Sequence, residues 1–155
     1  MQILAIGGTT SGSKISAINR NAQWSGTYLA AGVNCITMSL KNTDSNNLQV
    51  RVVIASVAAG TTRPQHIAVS TRALSLPVGG GWVTAVFPIG PGFLTGTGAE
   101  GNVLKALTNA GELRVIHNPA ATFPPPTIIG RLAVDNIKAE RRSGLPYLPL
   151  LLLDD

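Results

Sequence analysis

Two stretches, 33-VNCITMSL-40 and 48-LQVRVVI-54, decide the fold class because each alternates between apolar and polar residues. The apolar positions fall on every second residue: Ile36, Met38 and Leu40, then Leu48, Val50, Val52 and Ile54. Such alternation is typical of β-strands that bury one face. The stretches are separated by residues 41–47, which are polar and turn-forming, so the pattern predicts a β-hairpin.

Further short apolar runs, separated by Gly- and Pro-rich segments, predict more strands along the chain. The predicted strands are residues 2–6, 14–18, 27–30, 66–70, 82–87, 113–117 and 128–137. One helical turn is expected at residues 101–108, which Gly111 follows as a stop signal. Many short strands at this spacing predict an all-β fold, a jelly-roll β-sandwich of two antiparallel sheets. Residues 1–140 are expected to form this domain, and residues 141–155 an extended apolar C-terminal arm.

The composition excludes several classes of protein. The chain has 155 residues, of which 45% are hydrophobic and 12% charged, whereas globular domains average about 25% charged residues. This is too apolar for a disordered chain. The net charge is +5, but the basic residues are scattered and few aromatic residues accompany them, so no nucleic-acid partner is expected. A single cysteine, Cys35, excludes an internal disulfide.

The C-terminal segment, 145-LPYLPLLLLDD-155, is unlike the rest of the chain. Pro146 and Pro149 prevent a regular helix and favour an extended conformation. A segment this apolar must be covered, either by its own sheet or by a neighbouring subunit. The residues predicted to form an assembly interface are Leu145, Tyr147, Leu148, Leu150, Leu151, Leu152 and Leu153.

Three motifs resemble a known class of jelly rolls. Residues 74–89 resemble the strand–turn–strand of carbohydrate-binding-module-like domains, in which a Gly-Trp step opens a strand. Residues 102–118 and 132–139 resemble the short helix, the strand after it and the closing strand of the same class and of laminin-B-like domains. The resemblance implies a domain of secreted bacterial surface proteins of the PEP-CTERM type, with Trp82 in the core. The segment 145–155 does not resemble the sorting anchor of those proteins.

The last predicted strand contains a candidate metal ligand. Val134 and Ile137 are three residues apart, so both can point inward only if a β-bulge lies at residues 135–136. The resemblance implies a structural Ca²⁺ near this position, with Asp135 as a ligand. The alternative is that Asp135 only accepts backbone hydrogen bonds at the bulge, since Ca²⁺ needs about six to eight oxygen ligands.

Candidate sugar-binding residues are few. Trp24 and Tyr28 are expected to be exposed, and Arg51 is expected on an outward, solvated strand face, as is Arg114. Catalysis is not expected, because no pair of carboxylates and no Gly-x-Ser-x-Gly elbow stands out. His66, His117 and Cys35 do not have zinc-site spacing.

These observations leave two main hypotheses. The first is a non-catalytic structural subunit that assembles into an extracellular filament, surface layer or virion coat through its sandwich and its apolar tail. The second is a glycan-binding adhesion module of the same fold, and a hydrolase is a remote third. The expected location is the cell surface or the extracellular space, with a virion as the alternative, and either no signal peptide existed or it has been removed. No apolar run is long enough to predict a membrane span, and no cofactor is expected beyond the Ca²⁺.

Overall fold

Short strands dominate the computed structural model, which describes residues 1–8, 10 and 13–143. Its strands are β1 Gln2–Ile6, β2 Ser16–Asn19, β3 Cys35–Asn42, β4 Leu48–Val57, β5 Pro64–Ser70, β6 Leu74–Leu76, β7 Val83–Pro88, β8 Leu94–Thr97, β9 Glu112–His117 and β10 Ile129–Glu140. A short helix, α1 Val103–Thr108, and a 3-10 turn, Ala22–Trp24, accompany them. The all-β prediction is confirmed.

The strand order is that of a jelly roll. A four-stranded sheet has the order β1-β10-β3-β7, and a six-stranded sheet has the order β2-β9-β4-β5-β8, with β6 also paired to β4. The antiparallel pairs β1–β10, β2–β9, β3–β7 and β4–β5 are the rungs of one long hairpin. Rolling this hairpin brings β10 beside β3 and β9 beside β4. The chain is therefore an all-β sandwich of two antiparallel sheets, as predicted.

The predicted hairpin between the two alternating stretches is wrong. β3 belongs to the four-stranded sheet and β4 to the six-stranded sheet, so the polar connection between them crosses from one sheet to the other. The alternation nevertheless identified the inward faces, because the seven apolar residues of the two stretches are all buried. Alternation determines which side chains face the core, but it does not determine which strand supplies the hydrogen bonds.

One main hydrophobic core fills the space between the sheets. Met38 and Leu40 of β3 and Val52 and Ile54 of β4 belong to this one cluster, although the two strands lie in different sheets, and all four are almost fully buried. Helix α1 packs on β4 and β5 and contributes Leu107 to this core. The helix was predicted from residue 101 but begins at Val103, after Asn102, whose side chain accepts a hydrogen bond from the Lys105 amide at 2.9 Å.

The segment between β2 and β3 forms turns rather than the predicted strand at residues 27–30. The Ala31 amide donates to the Thr27 carbonyl at 3.1 Å, and the Val33 amide donates to the Tyr28 carbonyl at 3.0 Å. Gly26 forms an isolated bridge with Ala110, directly after α1. These local bonds satisfy the backbone without a neighbouring strand and fix the segment against the helix.

The outer face of the six-stranded sheet is covered by the chain itself. A second hydrophobic cluster there consists of Val53, Val69 and Ile116, with Phe123 packed against it. Phe123 comes from the connection between β9 and β10, which therefore crosses this face. The face predicted to be solvated is thus partly buried, and this changes the role of its charged residues.

Candidate functional site

The proposed sugar-stacking residues Trp24 and Tyr28 are not exposed. Each is only 6% exposed and belongs to the main core. The Tyr28 hydroxyl donates to the Trp24 carbonyl at 3.2 Å, and burial raises the pKa of Tyr28 to about 12. The expectation of exposure is wrong because the turns between β2 and β3 fold both rings inward. In this position neither ring presents a face on which a sugar could stack.

Arg51 is buried as well, which corrects its prediction as a solvated residue. Its guanidinium donates to four backbone carbonyls, those of Ser70, Thr71, Asn118 and Pro119, at 2.7–2.8 Å. Burial lowers the pKa of the guanidinium, but an arginine remains protonated in proteins. Arg51 therefore joins β4 to two connecting segments, and its donors are already occupied by the protein.

Arg114, also predicted to be solvated, lies in a buried ionic cluster. Its Nε donates to Glu112, which is fully buried, and Glu112 also accepts from Arg20 Nε at 3.0 Å. The Arg114 guanidinium lies 4.9 Å from the centroid of the Phe123 ring. These contacts compensate for removing the charges from water, so the cluster has a structural explanation.

Trp82, predicted to lie in the core, is 55% exposed. It directly precedes β7, which is one of the two edge strands of the four-stranded sheet. In the described part of the chain, no strand lies beyond β7 to cover the indole. Trp82 is therefore a large aromatic side chain exposed at this end of the sheet.

The predicted β-bulge in β10 is present. The pairing of β10 with β3 shifts register between Asp135 and Lys138, and Asn136 has a positive φ of 52°. Val134 is buried and Ile137 packs against the core, as the bulge was expected to allow. Asp135 accepts a hydrogen bond from the Asn136 amide at 2.8 Å. Across residues 1–8, 10 and 13–143, no group of three His, Cys, Asp or Glu side chains is placed to hold a metal ion.

The two histidines lie in different settings. His117 is buried, its Nδ1 accepts from the Gln49 amide at 2.9 Å, and burial lowers its pKa. His66 lines a recess of about 330 Å³ with Arg63 and Glu100, and its Nδ1 lies 2.8 Å from the Glu100 carbonyl oxygen. Cys35 is a buried free thiol.

The predicted assembly residues of the tail lie outside the described residues. β10 ends at Glu140, and the description continues only to Ser143. The Arg142 amide donates to the Asn34 side chain at 2.8 Å, and the Asn34 carbonyl accepts from Ile89, just after β7. The chain therefore reaches its last described residues near the C-terminal end of β7. Within the described residues, no helix is long and apolar enough to cross a membrane.

The outer strands carry no charged side chain. β1 and β7 form the edges of the four-stranded sheet, while β2, β8 and β6 lie at the edges of the six-stranded sheet. Every Lys, Arg, Asp and Glu that lies within a described strand belongs to an inner strand, namely β3, β4, β9 or β10. Exposed apolar side chains lie on or beside the outer strands, among them Leu4, Ile6, Ile18, Trp82, Val83 and Val86.

A cleft opens beside the edge of β7, and we call it the β7 cleft. It has a volume of about 570 Å³. One wall is Val86–Pro88 of β7, the other is the segment 70–74 between β5 and β6, and Gly92 and Phe93 complete the lining. Leu74, Phe87 and Phe93 make it largely apolar, and Arg72 is its charged residue. Sequence reasoning missed this cleft, although the absence of charge from residues 73–99 was visible.

The sequence matches no protein-family model and no curated protein. The resemblance to carbohydrate-binding-module-like jelly rolls therefore rests on its three motifs. In the structure these motifs are β6 to β7, α1 to β9, and part of β10.

Proposed function

We propose that this protein is a non-catalytic structural subunit that assembles with copies of itself into an extracellular filament, surface layer or virion coat. The observation that carries the proposal is the absence of charge from every outer strand of the described sandwich. The apolar segment 145–153 supplies a second surface that must be covered.

The outer strands matter because an unpaired strand edge presents free amides and carbonyls to other chains. Proteins that remain monomeric usually protect such edges with lysine, proline, bulges or inward-pointing charges. Here the only proline in an outer strand is Pro88, at the very end of β7. β1 has the sequence QILAI, with Leu4 and Ile6 exposed. These strands suit contact with another protein better than contact with water.

The charges that the chain does have are placed elsewhere. Glu112 and Arg114 are buried in the ionic cluster, and Arg51 is occupied by backbone carbonyls. A low overall charge thus coincides with the burial of part of that charge inside the fold. Solubility of a lone monomer depends on surface charge, so this distribution favours a subunit whose edges are covered in an assembly.

Sedimentation velocity of the full chain over a hundredfold concentration range tests the proposal. We expect species larger than a monomer whose fraction increases with concentration, and we expect a chain shortened to residue 143 to lose most of them. A full chain that remains monomeric at every concentration would rule the proposal out. The shortened chain is informative only if its circular dichroism retains the β-sheet signal.

A glycan-binding module is the second candidate, and the exposure of Trp82 favours it. Aromatic rings in water-accessible positions are platforms for sugar rings, and Trp82 is such a ring. A glycan array probed with the wild type and with Trp82→Ala tests this alternative, and Val78→Ala, at another exposed apolar residue, is the matched control. Binding that Trp82→Ala alone abolishes would support a glycan ligand. An array on which the wild type binds no glycan would rule out the glycan-binding function.

A further inference from the structure

We propose that the β7 cleft is the acceptor site for the C-terminal segment 144–155 of a second copy of this chain. The inference rests on the proposed function, which selects the segment of a neighbouring copy over that of the same chain. The inference adds the surface that accepts the segment, which the proposed function does not name. Because one surface donates and a different one accepts, all copies in the assembly are expected to point in the same direction.

The first argument is the shape of the acceptor. β7 pairs with β3 on one side and with no described strand on the other. The apolar cleft lies beside that unpaired side, between β7 and the segment 70–74. An exposed strand edge next to apolar pockets is the arrangement that captures extended peptides, since the edge supplies hydrogen bonds and the pockets accept alternate side chains.

The second argument is the chemistry of the segment. Residues 145–153 are leucine, tyrosine and two prolines, and both prolines favour an extended backbone. Six extended residues span about 20 Å, which matches the six residues of β7. Leucine and tyrosine side chains suit a cleft lined by Leu74, Phe87 and Phe93. From Leu150 onward the segment contains no proline, so its amides can pair with β7.

The third argument is charge. Arg72 is the charged residue of the cleft, it is exposed, and it takes part in none of the ion pairs found among the described residues. The segment carries its only charged side chains at Asp154 and Asp155. An acidic end that follows an apolar sequence complements an apolar cleft with a guanidinium beside it.

The fourth argument is the geometry of repetition. The described chain ends beside Asn34, near the C-terminal end of β7, and Val86–Pro88 at that end form one wall of the cleft. The donated segment and the accepting cleft are nevertheless two different surfaces of the chain. A contact between two different surfaces is heterologous, so each copy can accept one segment and donate another. Unless the rotation closes a ring, this contact generates a filament.

Cross-linking of full-length chains tests the assignment. One chain carries Thr84→Cys on β7, the other carries Leu152→Cys, and both carry Cys35→Ser. The cross-linker is a short bis-maleimide, which can join the two thiols even if the segment pairs with β7 in a slightly shifted register. In the matched control, Gln2→Cys replaces Thr84→Cys and places the thiol on the other edge strand, β1. We expect the cross-link between positions 84 and 152 to be at least tenfold more abundant than the cross-link between positions 2 and 152. If Cys35→Ser unfolds the protein, Cys35 can be retained, because burial raises the pKa of its thiol and shields it from reagent.

Each other outcome has a defined meaning. A cross-link between two copies of position 84 would show β7 pairing with β7 and would overturn the inference while leaving assembly intact. An assembly in which Leu152→Cys links only to Gln2→Cys would likewise overturn the inference and leave assembly intact. A monomer in which the doubly substituted chain Thr84→Cys/Leu152→Cys links to itself would show docking within one chain and would overturn both proposals. A monomer without any cross-link would also overturn both.

Charge reversal provides an independent test. Arg72→Glu is expected to weaken assembly of the full chain at least tenfold, and combining it with Asp154→Arg and Asp155→Arg is expected to restore assembly. Arg63→Glu, on the recess beside His66, is the matched control and is expected to change assembly less than threefold. Equal weakening by Arg72→Glu and Arg63→Glu, or a failure of the combined variant to recover, would contradict the proposed contact.

Discussion

The Gln49 amide donates a hydrogen bond of 2.9 Å to Nδ1 of the buried His117 imidazole, so this nitrogen carries no proton in the folded protein. Protonation of Nδ1 would remove the acceptor and place a cation in a poorly solvated site. Burial accordingly lowers the pKa of His117 in the folded state below its ordinary value of 6.5. The pair makes the stability of the sandwich depend on pH.

The free energy of unfolding is expected to decrease as pH falls below about 6.5, because the unfolded chain then binds a proton that the folded chain resists. The stabilisation due to neutral His117 is fully present above the pKa of this histidine in the unfolded chain. It is lost as the pH falls toward the pKa in the folded protein, and the free energy of unfolding then changes by at most about 1.4 kcal/mol per pH unit. Urea titrations between pH 5 and 7.5 measure it. His117→Gln should flatten this slope. A slope that survives His117→Gln would assign it to another group.

Arg51→Met is expected to destabilise the fold by at least about 3 kcal/mol. The variant keeps most of the aliphatic stem but leaves four backbone carbonyls without their charged donor. Arg51→Lys should recover little, since one ammonium cannot reproduce the planar fork. Urea unfolding measures both, with Arg131→Met, at an exposed arginine, expected to stay within about 1 kcal/mol. Equal effects at positions 51 and 131 would contradict the role assigned to Arg51.

Glu112→Ala is expected to cost about 3–5 kcal/mol, because it leaves the Arg114 guanidinium buried without its anion. The matched control is Glu140→Ala, which removes a partly exposed carboxylate from its pair with Arg142 and should cost no more than about 1 kcal/mol. Thermal unfolding of both variants at pH 7 provides the comparison. A double variant, Glu112→Ala with Arg114→Met, should recover part of the loss, and a further loss instead would show that the pair is not the cause.

Chelation is expected to leave the thermal stability unchanged. Asp135 already accepts the Asn136 amide at the bulge, and the described part of the chain groups no three carboxylate, thiol or imidazole residues around a common point. Melting curves with EDTA and with millimolar Ca²⁺ are therefore expected to coincide within about 1 °C. A Ca²⁺-dependent increase of several degrees that disappears in Asp135→Asn would instead establish the calcium site that the sequence resemblance implies.

The sequence predicted the strand content well because alternation records burial directly. Every alternating apolar residue of β3 and β4 is buried, and the bulge in β10 followed from the three-residue spacing of Val134 and Ile137. The sequence did not predict which strands pair with each other. β3 and β4 face each other across the core instead of sharing hydrogen bonds, and nothing in their own residues distinguishes these arrangements.

The candidate site was predicted less well, because exposure depends on segments that are distant in sequence. Arg51 occupies an outward position on β4, yet it is buried where the residues after β9 cross that face. The resemblance implied a core position for Trp82, yet the strand that it precedes, β7, lies at the edge of the sheet. The four-residue strand β8 was not predicted because it is too short to show a period. The three-residue strand β6 was implied only by the resemblance of residues 74–89 to a strand–turn–strand.

The position of β10 between β1 and β3 has a consequence for synthesis on the ribosome. β10 is the last of the described strands to emerge, yet it is the neighbour of both the first and the third of them. Until it has left the exit tunnel, β1 has none of its native sheet partners and the four-stranded layer is incomplete. Native pairing over so large a sequence separation is slow, and during that delay the uncharged early strands are open to other nascent chains. Translation speed and chaperone access are thus expected to influence the yield of this protein more strongly than that of a helical domain of equal length.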